Sequence, residues 1–334
     1  MKNLGNTNMK IKRVGFGGIP IQRITQEETN KVIDELVNQG INFIDTARGY
    51  TVSEEYIGNA LVGRREKFYI ATKSMSRNYE DMKKDIEISL KNLKTDYIDL
   101  YQIHNLKIEE YDTIFDDNKA YKALLEAQKE GKIKYIGITS HSLETIKKAV
   151  EDEKFATIQF PYNIVEDQAD EVFKVANKKG IGTITMKPLA GGAIDDGALA
   201  IKYILSKEYI DVAIPGMNTI EQVKENVSII NNVTLTDKDN QKIENIRKEL
   251  SGNFCRRCEY CLPCPNNVNI PQNFLLEGYY TRYNLKEWAL ERYNALGESQ
   301  ASKCIECGIC EERCPYNLPI REMLKNVCNK LENK

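Results

Sequence analysis

Residues 27–47 read EETNKVIDELVNQGINFIDTA. Val32, Ile33, Leu36 and Val37 recur three and four apart, the spacing of an amphipathic helix. Gly40 supplies a helix stop. The run INFIDTA (41–47) that follows is short and apolar, as a buried strand would be. Working outward, the same alternation continues in both directions. VGFGG (14–18) lies upstream. FYIATKS (68–74), IDLYQIH (98–104), KYIGITS (134–140), ATIQF (156–160), GTITMKP (182–188) and DVAIP (211–215) lie downstream. Helical patterns such as EEYIGNALVGR, DMKKDIEISLKNL, KALLEAQKEGK and ADEVFKVANKKG separate them. Strict alternation implies parallel strands covered by helices. Eight such units predict an α/β fold, a (β/α)8 TIM barrel. A doubly wound open sheet competes with it, and the even spacing of the units favours closure. TIEQVKENVSIIN and DKDNQKIENIRKEL read as closing helices.

The chain has 334 residues, 47 basic and 49 acidic, for a formal charge of −2. That balance argues against a partner bound mainly by charge, so neither nucleic acid nor a membrane surface is expected. No run of about 18 apolar residues is present, and the N-terminal stretch has no signal-peptide pattern. The expected location is cytoplasmic. The nine cysteines are segregated: the first 254 residues hold none, and all fall between Cys255 and Cys328. The expected domains are a barrel over 1–250 and a metal-binding domain over 251–334.

The cysteines form two groups. CRRCEYCLPCP supplies Cys255, Cys258, Cys261 and Cys264, and CIECGICEERCP supplies Cys304, Cys307, Cys310 and Cys314. The second has the bacterial ferredoxin spacing, and the first is one residue short before its last cysteine. In such modules the fourth cysteine of each run reaches the other cluster. One [4Fe–4S] cluster is therefore expected on Cys255, Cys258, Cys261 and Cys314, the other on Cys304, Cys307, Cys310 and Cys264. Zinc is the competing metal, but two triple runs each ending in Cys-Pro suit its paired C-x2-C units poorly. Helical patterns between the groups make this a small, mainly α-helical, ferredoxin-like iron–sulfur domain. Cys328 lies outside both motifs and reads as an ordinary thiol.

Chemistry in such a barrel sits at the C-terminal ends of the strands. Three consecutive strands end near Asp45, Lys73 and His104, and Tyr50 follows in the loop after Asp45. Any one alone would pass as a strand-terminal residue, but together their chemistry fits. A nearby ammonium lowers a phenol's pKa, a carboxylate holds the ammonium, and an imidazole can orient a carbonyl. The stretch NFIDTARGYTVSEEYIGNAL, with ATKS and LYQIHNL, resembles the aldo-keto reductases over about residues 1–250. The resemblance implies an NAD(P)H-dependent oxidoreductase that reduces an aldehyde or ketone, with Asp45, Tyr50, Lys73 and His104 as its catalytic tetrad and Tyr50 as general acid.

The resemblance also implies a cofactor site. Thr139, Ser140 and Gln159 would hold the carboxamide of nicotinamide, and Met186 stands where many members stack an aromatic ring. The pyrophosphate would lie along Lys187, Pro188 and Leu189. Gly216 and Gln222 occupy positions where NADP-preferring members place basic residues, while Asn226 matches. NADP and NAD therefore both stay open. The expected partners are a small-molecule carbonyl substrate and an external electron-transfer partner. The rival reading is an iron–sulfur electron-transfer protein whose barrel is a scaffold or nucleotide sensor.

Overall fold

The structure is a computed structural model that describes residues 1–251, 254–257, 260–283, 285–314 and 316–332. By its contacts the chain divides into two units, Met1–Leu189 with Asp196–Leu235, and Ala190–Asp195 with Thr236–Lys334.

The first unit holds eight parallel strands: β1 (Phe16–Gly17), β2 (Phe43–Asp45), β3 (Tyr69–Ser74), β4 (Ile98–Ile103), β5 (Ile133–Thr139), β6 (Thr157–Pro161), β7 (Gly182–Met186) and β8 (Val212–Ala213). Each pairs with the next in chain order. Val14 bridges Ala213 and Gly17 bridges Gly216, both in parallel, which joins the first strand to the last and closes the barrel. The backbones approach closely at this seam. A Cβ on Gly17 would lie 2.9 Å from the carbonyl oxygen of Ile214, so only glycine fits. The strands are buried on both faces: every residue of β4 and β6 is buried.

Helices cover the outside. Those the site depends on are α1 (Gln26–Asn38), α2 (Ser53–Ala60) and α3 (Tyr79–Leu93). A capping box between Thr25 and Glu28 starts α1. Gly40, with φ of +65°, turns the chain into β2. At the opposite end from the strand-end residues, a hairpin of Lys2–Asn3 and Lys10–Ile11 buries Leu4, Met9 and Ile11 with Phe43, Leu100 and Ile184. The long stretch after β4 contains a one-turn helix, Ile108–Tyr111. Its Tyr111 and Phe115 pack edge-on to each other, with centroids 5.4 Å apart.

The second unit is helical, with α4 (Asp237–Ser251), α5 (Ile270–Thr281), α6 (Lys286–Asn294) and α7 (Ile320–Leu331). The sequence reads α4 as a closing helix of the barrel, whereas its contacts place it in the second unit. The core of this unit packs Val268, Leu276, Tyr293, Leu324 and Val327 around Cys261, Cys310 and Cys314. Among the described residues no helix is long and apolar enough to cross a membrane.

Candidate active site

Asp45 ends β2, Lys73 is the fifth residue of β3, and His104 follows the last residue of β4. Adjacent parallel strands thus bring three side chains to one rim. Lys73 Nζ donates to Asp45 Oδ1 at 2.5 Å and to the carbonyl of Thr46 at 2.7 Å. Both side chains are buried, at 1% and 4% exposure. Gln102 Nε2 donates to the other Asp45 oxygen at 3.1 Å. Gln102 precedes His104 by two and was missed in the sequence; a polar residue inside a buried strand was its only signal. Burial lowers the pKa of Lys73, and the charges of Asp45 and Glu54 work against that fall.

Tyr50 joins them from the loop between β2 and α2. Lys73 Nζ lies 5.2 Å from its ring centroid. The His104 ring meets it edge-on, with centroids 6.1 Å apart and planes at 86°. The backbone N–H of His104 donates to the Ser74 carbonyl at 2.9 Å. Burial, with the charges of Lys73 and Arg77, pushes the imidazole pKa down to about 3. His104 is therefore neutral at neutral pH, with one ring nitrogen a donor and the other an acceptor. Its Nδ1 is buried without a hydrogen-bond partner.

The residues expected to hold a nicotinamide cofactor lie on or after strands β5 to β8. Thr139 ends β5, and its Oγ1 accepts from Asn105 N at 2.8 Å. Ser140 Oγ donates to the Leu106 carbonyl at 2.6 Å and accepts from Ser142 N at 3.0 Å. Both hydroxyls thus hold loops at the rim. Gln159 lies in β6, opposite Thr139 and Ile184 in register. It is 1% exposed, and its Oε1 has no partner. A buried amide oxygen left unsatisfied is costly, and an amide N–H of a bound carboxamide would satisfy it. Met186 ends β7 half-buried, ahead of Lys187, Pro188 and Leu189. Lys187 has φ of +56°, and its carbonyl accepts from Asn163 Nδ2 at 3.0 Å. Gly216 follows β8, where a Cβ would lie 2.8 Å from Pro20 Cγ. Gln222 is exposed and accepts from Asn218 N through Oε1 at 2.8 Å. Asn226 is buried.

In the second unit, Cys255, Cys261 and Cys314 line one cavity, walled largely by apolar side chains such as Ile270, Phe274 and Leu318. Cys258 lies outside the described residues. Cys310 is buried, which pushes its thiol pKa up to about 11, with Glu311 and Cys304 adding to the rise. Cys307 is exposed. Two contacts cross between the motifs: Arg313 Nη1 donates to the Pro263 carbonyl at 3.1 Å, and Asn266 Nδ2 donates to the Lys303 carbonyl at 2.5 Å. They bring the end of each motif, Cys264 or Cys314, to the other. Among the described residues, no three cysteine, histidine or carboxylate side chains gather closely enough to share one metal ion. Thiols set around a cavity suit a multi-iron cluster, whose irons are held by cysteine thiolates.

Residues 13–198 match the Aldo/keto reductase family, and residues 254–319 match the 4Fe-4S dicluster domain. The oxidoreductase YqkF of Bacillus subtilis is 26% identical over 305 residues, covering 74% of this chain and 96% of that protein. L-galactose dehydrogenase of Arabidopsis thaliana is 25% identical over 297 residues, covering 74% and 92%. Among solved structures, the holo form of aldo-keto reductase AKR11C1 from Bacillus halodurans superposes with a TM-score of 0.65 at 26% identity, covering 73% of this chain and 95% of that one. The closed parallel barrel agrees with the first of these matches, and the cysteine-bearing helical unit with the dicluster match. The chain belongs to the aldo/keto reductase family, as an oxidoreductase that carries a C-terminal 4Fe–4S dicluster domain.

Proposed function

We propose that the barrel reduces an aldehyde or ketone with a nicotinamide cofactor, with Tyr50 as the proton donor. One observation carries this reading: a buried ammonium, fixed by Asp45, faces the ring of Tyr50, with a neutral imidazole at the ring's edge. When bound, the nicotinamide supplies a hydride to the carbonyl carbon. Negative charge then grows on the carbonyl oxygen, and Tyr50 gives it a proton. Lys73 stabilises the phenolate that results. Asp45 and the Thr46 carbonyl keep Lys73 charged and in place. His104, being neutral, orients the carbonyl by hydrogen bond and is not the acid. Holding the reactants in one geometry accounts for much of the rate.

Gln159 and Thr139 take the carboxamide in this reading, while Ser140 is already engaged with the rim loops. The pyrophosphate follows Lys187, Pro188 and Leu189. Neither Gly216 nor Gln222 offers a cation to a 2′-phosphate, which supports use of NADH alone or of both cofactors. The crossing contacts between the cysteine motifs support one cluster on Cys255, Cys258, Cys261 and Cys314, and another on Cys304, Cys307, Cys310 and Cys264. The dicluster domain favours a second role, single-electron exchange with an external partner.

The test is an anaerobic panel of carbonyls with NADH and NADPH, followed by cofactor absorbance. Wild type should oxidise cofactor only with a carbonyl present. Tyr50→Phe should lose at least about a hundredfold in kcat, the scale of a lost general acid, with cofactor affinity kept. Equal rates for both proteins would sink the assignment of Tyr50.

A further inference from the structure

Behind the tetrad, on the outer side of the barrel wall, lies a group of charges that the reaction scheme does not use. Glu54 sits in the first turn of α2 and is 1% exposed. Its carboxylate accepts four hydrogen bonds: from Arg48 Nη1 at 3.0 Å, Thr72 Oγ1 at 2.8 Å, Ser89 Oγ at 2.7 Å and Asn92 Nδ2 at 3.3 Å. Four donors saturate an ionised carboxylate. Those donors come from the Tyr50 loop, from β3 and from α3. A second carboxylate, Asp85 on α3, lies 3.5 Å from Arg48 Nε through Oδ1. Its Oδ2 accepts from Ser76 Oγ at 2.6 Å and from Ser74 Oγ.

Several of these contacts lie within two residues of a tetrad member. Arg48 is two residues before Tyr50, and its backbone N–H donates to the carbonyl of Lys73 at 2.9 Å. Thr72 and Ser74 flank Lys73 and, by strand alternation, point to the opposite face. The Ser74 carbonyl receives the N–H of His104. The loop itself is tied at its ends, by Thr46 N to the Ala71 carbonyl and by Ser53 N to the Tyr50 carbonyl, each at 2.8 Å. Between those ends, Arg48 is the side chain that reaches two carboxylates. A ring of six-membered size carried on a loop has to be held to about half an ångström to react well.

We propose that Arg48, Glu54 and Asp85 form a positioning unit that fixes the Tyr50 loop against the strand carrying Lys73 and, through Ser74, against His104. The three are positioning residues, since none of them is asked to touch the reacting atoms. The unit rests on the reading of Tyr50 as proton donor for its kinetic consequence, but its structural consequence is independent of any substrate.

The experiment uses the full chain with its clusters, purified without air, as wild type, Arg48→Met, Arg48→Lys, Glu54→Gln and Tyr50→Phe. The Tyr50 ring signal is read by NMR after 13C labelling of tyrosine, and Tyr50→Phe assigns it by its loss. The expected result is one sharp Tyr50 signal in wild type that shifts or splits in Arg48→Met and Glu54→Gln, with a partial return in Arg48→Lys. With 4-nitrobenzaldehyde as the carbonyl probe, kcat of Arg48→Met should fall by about tenfold or more, while KM for cofactor stays within about twofold. An unmoved Tyr50 signal in folded Arg48→Met overturns the inference. If Arg48→Met does not fold, the same criterion applies to Arg48→Lys and Glu54→Gln. A wild type that reduces no carbonyl would count against the proposed reaction alone, and the NMR signal would still decide the positioning unit.

Discussion

Lys73 places a positive charge inside the barrel wall with Asp45 as its ion-pair partner. Removing one member of such a pair leaves the other buried and uncompensated, at a cost of about 3–5 kcal/mol. Lys73→Met should therefore lower unfolding free energy by about that amount, and adding Asp45→Asn should restore part of it. Urea unfolding of the two variants checks this; a double variant no more stable than the single one contradicts it. His104 gives a pH signature. Its proton binds near pH 6.5 in the unfolded chain and near 3 in the fold. Between those values the unfolded state binds more protons, so stability falls as the pH drops through the window. Relative to His104→Gln, wild type should lose up to about 1.4 kcal/mol per pH unit there. Parallel stability curves for the two proteins would contradict the buried, neutral imidazole. The four side chains that gather at the rim, Asp45, Tyr50, Lys73 and His104, were legible because each ends or follows an apolar run. Gln102 and Glu54 were not, because what marks them is a partner on another element, and single-sequence pattern holds no such distances.

At the scale of elements, all eight strands fall on the apolar runs, since fully covered strands leave no polar face to blur the signal. The seam was less legible. That β1 meets β8 depends on Gly15 and Gly17 lying against Ala213 and Pro215, a contact nearly 200 residues apart in sequence that no local period encodes. The helix Asp237–Ser251 shows the limit from the other side: its amphipathic pattern specifies a buried face but not which unit buries it. The cysteine motifs carry a prediction of their own. If the fourth cysteines cross over, Cys314→Ala should share the electron paramagnetic spectrum of Cys261→Ala, and Cys264→Ala that of Cys310→Ala. Each variant should lose about half of the roughly eight irons that two four-iron clusters contain. The reverse pairing of spectra would show that each motif closes its own cluster.

For the whole molecule, the segregation of cysteines beyond residue 254 separates a unit suited to hydride chemistry from one suited to single electrons. A nicotinamide gives two electrons at once, while each cluster accepts one. In the proposed reaction both electrons leave the cofactor together, as a hydride bound for a carbonyl. The most direct test supplies the intact, anaerobic holoprotein with nicotinamide cofactor deuterated at C4 on either face, together with a carbonyl that it reduces. Mass spectrometry then locates the label. Deuterium is expected on the former carbonyl carbon of the alcohol from one of the two labelled faces, with the clusters unreduced on that timescale. Cofactor oxidation that bleaches the clusters and leaves the product unlabelled from either face would contradict it.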